Sequence, residues 1–441
     1  MRLLFISREL IGASLCYRLK QEGCDVRLFI EDESRKDCLD GMVKKTDDWK
    51  KELAWVGKDG LIIFDDVGYG KIQDELRAQG FLVVGGSEGG DRLEEDRQYA
   101  QKVFKSCGMN VVTSVNFDNV EHAIDFVKKH RDRWVIKQKG HNCILNYVGK
   151  MKDGSDVISV LENYKLNNIK PVNLQQRIDG VEIGCGRYFN GKDWIGPIEI
   201  NIEHKRLFNN DIGPMTGEMG TLMWYEENEN NKLFQRTLAR LKPSLQGVNF
   251  KGNIDINCIV NKETVYPLEV TSRFGCPSTQ LQSEIHLSPW KEFLHAIAKG
   301  EKYKLRYRNG FGVVVSVAIP PFPYKAISQE YYLKGVEILF KKPLSEGEMN
   351  RLHFEEVSMR RSNGKDHYYI AGSNGYILYV TGFGSTVQKA RDKAYALIDK
   401  IVIPKMFYRT DIGLKFIERD RELLKKWGYL DEMKMKRRLK T

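Results

Sequence analysis

Asp255 and Glu269 are the residues of this chain whose type and spacing most plainly invite chemistry. They lie on either arm of a segment that reads as a hairpin: Asn253-Ile-Asp-Ile-Asn-Cys-Ile-Val260, a polar turn at Asn261-Lys-Glu263, then Thr264-Val-Tyr-Pro-Leu-Glu-Val270. Two adjacent antiparallel strands would set the carboxylates side by side. Hard oxygen ligands at that separation suit one or two Mg²⁺ ions bridging nucleotide phosphates. Just past the second strand, Arg273 offers a fixed cationic fork for a phosphate or carboxylate. Taken alone, the same segment also reads as a hairpin with solvent-facing acids and an ordinary surface arginine, so the elements around it must decide.

Those elements alternate from the start. Leu3-Leu-Phe-Ile6 reads as a buried strand, followed by an amphipathic run over 11–21 that stops at Gly23. Further strands are expected at Val26-Arg-Leu-Phe-Ile30, Leu61-Ile-Ile-Phe64 and Leu82-Val-Val-Gly85, the last preceded by a helix through Leu76 that ends at Gly80. Strands alternating with helices predict a doubly wound parallel sheet, with ligands at the carboxyl ends of its strands. Here those ends are residues 7–9, 65–70 and 85–89. A charged helix is expected over 91–108, then strands at Val111-Val-Thr113 and Trp134-Val-Ile-Lys137. A small lobe over about 117–180 and a larger mixed sheet over 181–300 follow. Residues 310–405 carry β-rich stretches at Val313-Val-Val-Ser-Val317 and Tyr376-Ile-Leu-Tyr-Val380 and one helix over 386–400.

Composition bounds the class. At 441 residues, with 41% hydrophobic residues, the chain can fill two to four packed cores. No apolar run is long enough to span a membrane. The opening Met-Arg-Leu-Leu-Phe-Ile begins directly as a strand, which argues against a leader segment. Eight cysteines stand singly, without a Cys-x-x-Cys pair or a histidine nearby at ligand spacing. That pattern fits a reducing cytoplasm and neither a disulfide frame nor a zinc site. The net charge is +11, and the one dense basic run is Lys434-Met-Lys436-Arg437-Arg438-Leu-Lys440. A solvated tail with at most a weak polyanion contact accounts for it. No aromatic-interleaved basic stripe points to nucleic acid.

Four further motifs settle the context. Residues 171–186 read Pro171-Val-Asn-Leu-Gln-Gln-Arg-Ile-Asp-Gly180-Val-Glu182-Ile-Gly-Cys-Gly186. Residues 204–220 read His204-Lys-Arg-Leu-Phe208-Asn-Asn-Asp211-Ile-Gly213-Pro-Met-Thr216-Gly217-Glu-Met-Gly220. With Glu269-Val-Thr271-Ser-Arg273-Phe-Gly275, Thr381-Gly-Phe-Gly-Ser-Thr and Phe407-Tyr-Arg409-Thr-Asp411-Ile-Gly413, the chain resembles the phosphoribosylamine–glycine ligase family of the ATP-grasp superfamily, in order from residue 1 to about 418.

The resemblance implies an α/β chain, α+β in parts. It would comprise an N-terminal doubly wound domain (1–90), an ATP-grasp large lobe (91–116 and 181–300), a small lobe acting as lid (117–180), a C-terminal mixed β/α domain (301–418) and a basic tail (419–441). It implies ATP and Mg²⁺ (or Mn²⁺) as cofactors, and small-molecule substrates: an amino acid and an amine, phosphoribosylamine or similar. Position by position, Lys137 and Lys139 with Arg97 would hold phosphates. The backbone at Gln175, Gln176 and Ile178 would meet adenine, and Glu182 the ribose hydroxyls. Asp255, Glu269 and Thr271 would hold metal. Asp211 and Arg273 would serve the reaction. Gly213, Thr216, Gly217 and Gly220 would form the glycine-rich loop over the reacting centre, with Ser7, Arg8 and Glu9 at the second substrate. The implied reaction forms an acyl phosphate and ADP, then an amide.

The chain departs from that pattern at several points. Bulky residues fill the phosphate loop, Gly140-His-Asn-Cys-Ile-Leu-Asn146. Thr271 replaces the family's magnesium-site asparagine, Arg97 a helix lysine, and Cys276-Pro-Ser278 its Asp-Pro-Glu. The N-terminal glycine-rich turn is reduced to Ser7-Arg8-Glu9, and the next loop is Asp65-Asp66-Val-Gly-Tyr-Gly70. Three readings stay open: the family's reaction, the same mechanism with a different amine, and a non-catalytic nucleotide-binding protein.

Overall fold

In the computed structural model, residues 1–137, 146–324 and 333–430 are described. Lys139, most of the altered phosphate loop and the basic run at 434–440 lie outside them.

The first sheet is parallel, because its strands are apolar on both faces and the chain between them folds as helix. β1 (Arg2–Ser7) runs beside β2 (Asp25–Ile30), β3 (Lys44–Lys45) lies outside β2, and β4 (Leu61–Phe64) and β5 (Leu82–Val84) lie on the other flank of β1. Leu3 through Ile6 and Leu61 through Phe64 are fully buried, as expected of strands covered by helices on both faces. The strand order β3-β2-β1-β4-β5 reverses direction at β1. The crevice outside the carboxyl ends of β1 and β4 is therefore this sheet's switch point.

The single charged helix expected over 91–108 is two helices, Glu88–Glu95 and Arg97–Ser106. Asp96 leaves helical geometry between them, and its carboxylate accepts from Tyr99 N–H at 3.0 Å. An aspartate offered as a cap competes with helix continuation. The strand expected at Val111 begins later, as β6 (Ser114–Phe117), where a partner strand comes alongside. That small antiparallel sheet has the order β6-β9-β7-β8, with β7 (Trp134–Lys137), β8 (Tyr147–Val148) and β9 (Val172–Gln176). Helices Val120–Lys129 and Ser155–Leu166 close its own core around Trp134, Ile136 and Leu161.

The large sheet is antiparallel throughout, and not mixed as expected. It comprises β10 (Val181–Asn190), β11 (Trp194–Glu203), β14 (Gly220–Glu226), β15 (Lys251–Val260) and β16 (Val265–Thr271). It continues without a break into C-terminal strands β17 (Phe311–Ala318), β22 (Tyr376–Gly384) and β19 (Leu352–Phe354). Short pairs complete the chain: β12 (Arg206–Phe208) with β13 (Ile212–Met215), β18 (Leu339–Phe340) with β23 (Ile401–Val402), and β20 (Val357–Ser362) with β21 (Lys365–Ile370). Among the described residues no helix is long and apolar enough to cross a membrane, and the seven cysteines there are free.

Candidate active site

Register decides which side chains of the large sheet face the cleft. β15 pairs with β10 without interruption from Val181–Val260 to Asn190–Lys251. Against β16 the pairing starts as Val260–Val265, Ile259–Tyr266 and Cys258–Pro267, then shifts by one residue to Asn257–Glu269 and Asp255–Thr271. Leu268 is the extra residue. Without this bulge Glu269 would point to the opposite face from Asp255; with it, Asp255, Asn257, Glu269 and Thr271 share one face. Pro267, which cannot donate to a ladder, sits where such a break is tolerated. The side-by-side expectation therefore needs correction: Asp255 stands opposite Thr271, and Glu269 lies diagonally, opposite Asn257.

β11 supplies the rest of that face through the alternation Glu199-Ile-Asn201-Ile-Glu203. Asn201 Nδ2 donates to Asp255 Oδ2 at 2.9 Å and to Glu199 Oε1 at 3.1 Å; Asn257 Nδ2 donates to Glu182 at 2.8 Å and Glu203 at 2.9 Å. β10 passes beneath on glycines. A Cβ at Gly184 would stand 2.0 Å from Asn201 Oδ1, and one at Gly186 would stand 2.8 Å from Asp255 Oδ2. Lys205 projects into this acidic field. Its Nζ ion-pairs with Glu269, lies 3.0 Å from Glu203, and reaches Glu182 at 3.9 Å. Lys205 holds the Glu269 carboxyl down to about 2. Burial, with Glu203 and Glu199 nearby, pushes Asp255 well above the usual carboxylate range. Glu199, buried against Gln282 and Asn201, is raised to about 7 by desolvation.

Across the cleft, Lys137 ends β7 within electrostatic reach of Arg97, Glu269, Lys205 and Glu182. Desolvation first, then Arg97, lowers its ammonium to about 8, the behaviour of a lysine among other cations that awaits an anion. Gln175 lies in the ladder between Ser114 and Val135. Gln176 N–H donates to Thr113 O at 2.9 Å, and Arg177 N–H to Arg133 O at 2.9 Å. Two backbone donors of 175–178 are thus already committed within the small lobe.

The loop after β11 is anchored and not free. His204 Nε2 accepts from Gly413 N–H at 3.1 Å, so its Nδ1 carries the proton toward Gly220 O at 3.2 Å; burial lowers the ring to about 4. Thr216 donates through both N–H and hydroxyl to Lys205 O. Gly217 runs so close to Tyr376 that a Cβ would sit 2.6 Å from its hydroxyl oxygen, and Gly220 adopts φ +150° against Val314 O. Gly213, at φ +86°, packs under Phe208. Asp211 is drawn away from the acidic face: Arg409 Nη1 lies 3.0 Å and Lys415 Nζ 2.9 Å from its carboxylate. The structure gives it a tethering role between hairpin β12–β13 and the C-terminal segment.

At the N-terminal crevice, Ser7 is fully buried and its hydroxyl donates to Asp65 at 2.8 Å, while Arg8 and Glu9 are exposed. Arg273 spans the boundary between this crevice and the large sheet. Its Nε lies 3.0 Å from Glu94 and 3.3 Å from Asp66, and both carboxylates, despite burial, hold the guanidinium firmly charged. Sequence reasoning missed Glu203, Asn201, Asn257, Lys205 and Glu94. The first three had a signal: the strict polar–apolar alternation of 199–203 and 253–257 marks one polar face.

Residues 95–279 match the family described as phosphoribosylglycinamide synthetase, ATP-grasp (A) domain, and residues 327–415 match its C domain. The chain is 26% identical over 366 residues to the phosphoribosylamine–glycine ligase of Clostridium acetobutylicum (78% of this chain, 81% of that protein). It is 24% identical over 394 residues to that of Corynebacterium ammoniagenes (84% of each). Among solved structures, the Thermotoga maritima phosphoribosylamine–glycine ligase superposes with a TM-score of 0.68 at 21% identity, over 93% of this chain and 100% of that one. A Campylobacter jejuni biotin carboxylase gives 0.63 at 13% identity, over 97% of each. These likenesses show the fold: an N-terminal doubly wound sheet leading into an ATP-grasp core.

Proposed function

Because the chain belongs to the phosphoribosylglycinamide synthetase family, we propose that it is an ADP-forming ligase that joins a carboxylate to an amine, using ATP and Mg²⁺. One observation carries the proposal: a single cleft opposes Lys137 and Arg97 to the face bearing Glu182, Glu203, Asp255 and Glu269. Cations for phosphate and oxygen ligands for a metal face each other there.

Lys137 and Arg97 bind the nucleotide's phosphates, Glu182 its ribose hydroxyls, and the backbone near Ile178 its base. The carboxylate substrate attacks the γ-phosphorus, the β,γ-bridge breaks, and ADP leaves. The amine nitrogen then attacks the acyl carbon, phosphate departs, and the nitrogen sheds a proton to give the amide. Residues 217–220, held close by Tyr376 and Val314, present backbone to the reacting centre. Arg273 balances charge beside it.

Asp255 and Glu269, with Thr271, would hold the metal, which supplies Lewis-acid neutralisation of phosphate charge when bound. The donor set fits. Among the described residues no three acidic, histidine or cysteine side chains converge into a ready-made cage, and Mg²⁺ commonly takes one or two carboxylates with the phosphates themselves. Closing the small sheet over the cleft would keep water from the acyl phosphate.

ADP release from Mg-ATP with glycine and phosphoribosylamine, each omitted in turn, tests the proposal. Hydroxylamine, which traps an acyl phosphate as hydroxamate, reports the first half-reaction without the natural amine. No ADP and no hydroxamate with any carboxylate would overturn the ligase reading in favour of nucleotide binding without catalysis.

A further inference from the structure

The switch-point crevice between β1 and β4 is filled by the chain's own carboxylate. Asp65 reaches from the end of β4 to the start of helix Ala13–Gln21. There Oδ2 accepts from Gly12 N–H at 2.7 Å and from the Ser7 hydroxyl at 2.8 Å, and the Ser7 oxygen in turn accepts from Leu10 N–H at 2.7 Å. These donors would otherwise greet an anion. Space is closed as well as charge: Asp65 is 0% exposed, and a Cβ on Gly12 would meet Asp65 at 3.0 Å and Phe5 at 2.7 Å. Asp66 stands next to it, and the nearest cation, Arg273, is shared between Asp66 and Glu94. A phosphate entering here would displace one carboxylate and face two more.

Gln280 and Glu355 are buried along the same wall as Asp65. Gln280 Nε2 donates to Ile11 O at 3.3 Å, which places its amide beside the same helix start. Glu355 receives Arg35 Nη1 at 3.2 Å, and that nitrogen also donates to Glu9 O. Cys276, within reach of both Arg273 and Glu355, links the two ends. The wall leads to the reacting loop through Tyr376, whose hydroxyl lies 3.4 Å from Glu218 N. Arg35 Nε, a buried donor without a hydrogen bond, already lies 3.4 Å from Glu356.

Resting on the ligase reading, we propose that Asp65 excludes a phosphorylated acceptor from this crevice, so that the amine this chain takes is phosphate-free. Amino sugars, aminonucleosides and diamines share that chemistry, and a panel of the three separates them.

The deciding experiment pairs phosphoribosylamine with ribosylamine, which differ only in the phosphate, in acceptor-dependent ADP release by the full chain. Wild type is expected to favour ribosylamine by about tenfold or more in kcat/KM. Asp65→Asn should move that ratio toward phosphoribosylamine and allow ribose 5-phosphate to inhibit. Preference of the wild type for phosphoribosylamine, or an unmoved ratio in the variant, overturns the proposal. Calorimetric titration of wild type with ribose 5-phosphate covers a variant that fails to fold: no saturable binding is expected, and one-to-one binding overturns it. Hydroxamate formation with hydroxylamine stands apart from the crevice, so its absence reports failure of the ligase reading, while the titration still decides the crevice.

Discussion

The acidic face of the large sheet and the N-terminal crevice are both crowded with carboxylates, yet they are built for opposite ends. On the sheet, the Glu182 and Glu269 side chains remain 46% and 44% exposed, and their ion-pair partner is one lysine side chain, Lys205, on a flexible stem, with Lys137 also within electrostatic reach. Such a counter-ion can be exchanged for a metal or for nucleotide phosphates. In the crevice, Asp65 is satisfied by a backbone N–H and a buried hydroxyl, and Asp66 by Arg273 and its own neighbour Val67 N–H. Those partners cannot leave without unfolding something. An acid paired with a mobile cation in an open cleft is a binding site; an acid paired with backbone is part of the wall.

The largest expected effect tests the residue joining the two regions. Arg273→Met strands Asp66 and Glu94, whose side chains are 8% and 9% exposed, and should cost about 3–5 kcal/mol in stability. Urea unfolding would check it. A loss below about 1 kcal/mol would mean that the wall is held by something else. Glu269→Gln comes next. It should lower Mg²⁺-dependent ADP release by about 10²–10³-fold with only a modest loss of thermal stability, because Lys205 keeps Glu203 and Glu182 as partners when Glu269 is neutralised. An active Glu269→Gln protein would remove the metal assignment and with it the contrast drawn above.

The pH dependence sharpens the same contrast. Asp65 has its folded-state pKa raised to about 7 by burial and by Asp66, against an ordinary value of 3.8. Its contribution is fully present below about pH 4 and is lost as pH rises toward 7, at up to about 1.4 kcal/mol per pH unit. Glu269, held down to about 2 by Lys205, has the opposite sign: its contribution is present above its ordinary value and lost only on strong acidification. Melting temperatures between pH 5 and 8 should therefore fall with rising pH in wild type and fall less in Asp65→Asn. Parallel curves would show that Asp65 is not the carried proton.

Much of this was legible in the sequence wherever a local pattern suffices. The unbroken apolar runs at Leu3–Ile6 and Leu61–Phe64 specify strands covered on both faces, and Trp134-Val-Ile-Lys137 ends where the lysine must emerge. The shared face of Asp255 and Glu269 was foreseen on an incomplete ground. Counting residues across the turn sets Glu269 on the wrong side, and only the extra residue at Leu268 restores it. The partners of Arg273 were out of reach, since Glu94 is 179 residues away in sequence and no spacing rule spans that. Asp96 broke a helix whose charge pattern read as continuous, because a capping side chain competes locally with a periodicity averaged over many residues.

Asp211 gives the smallest effect and bears on the boundary of the site. Its position in the loop resembling the family's glycine-rich segment marked it for the reaction, but its carboxylate is taken up by Arg409 and Lys415. Arg409 also makes a two-pronged pair with Asp411, Nε and Nη2 each donating at 2.8 Å, so neutralising Asp211 leaves that guanidinium paired. The Asp211 side chain is 36% exposed, which screens the lost interaction further. Asp211→Asn should therefore cost about 0.5–1 kcal/mol in stability and change kcat by less than about threefold. A kcat loss of hundredfold or more with an unshifted melting temperature would return Asp211 to the reacting groups, and would extend the open, exchangeable region from the sheet face into hairpin β12–β13.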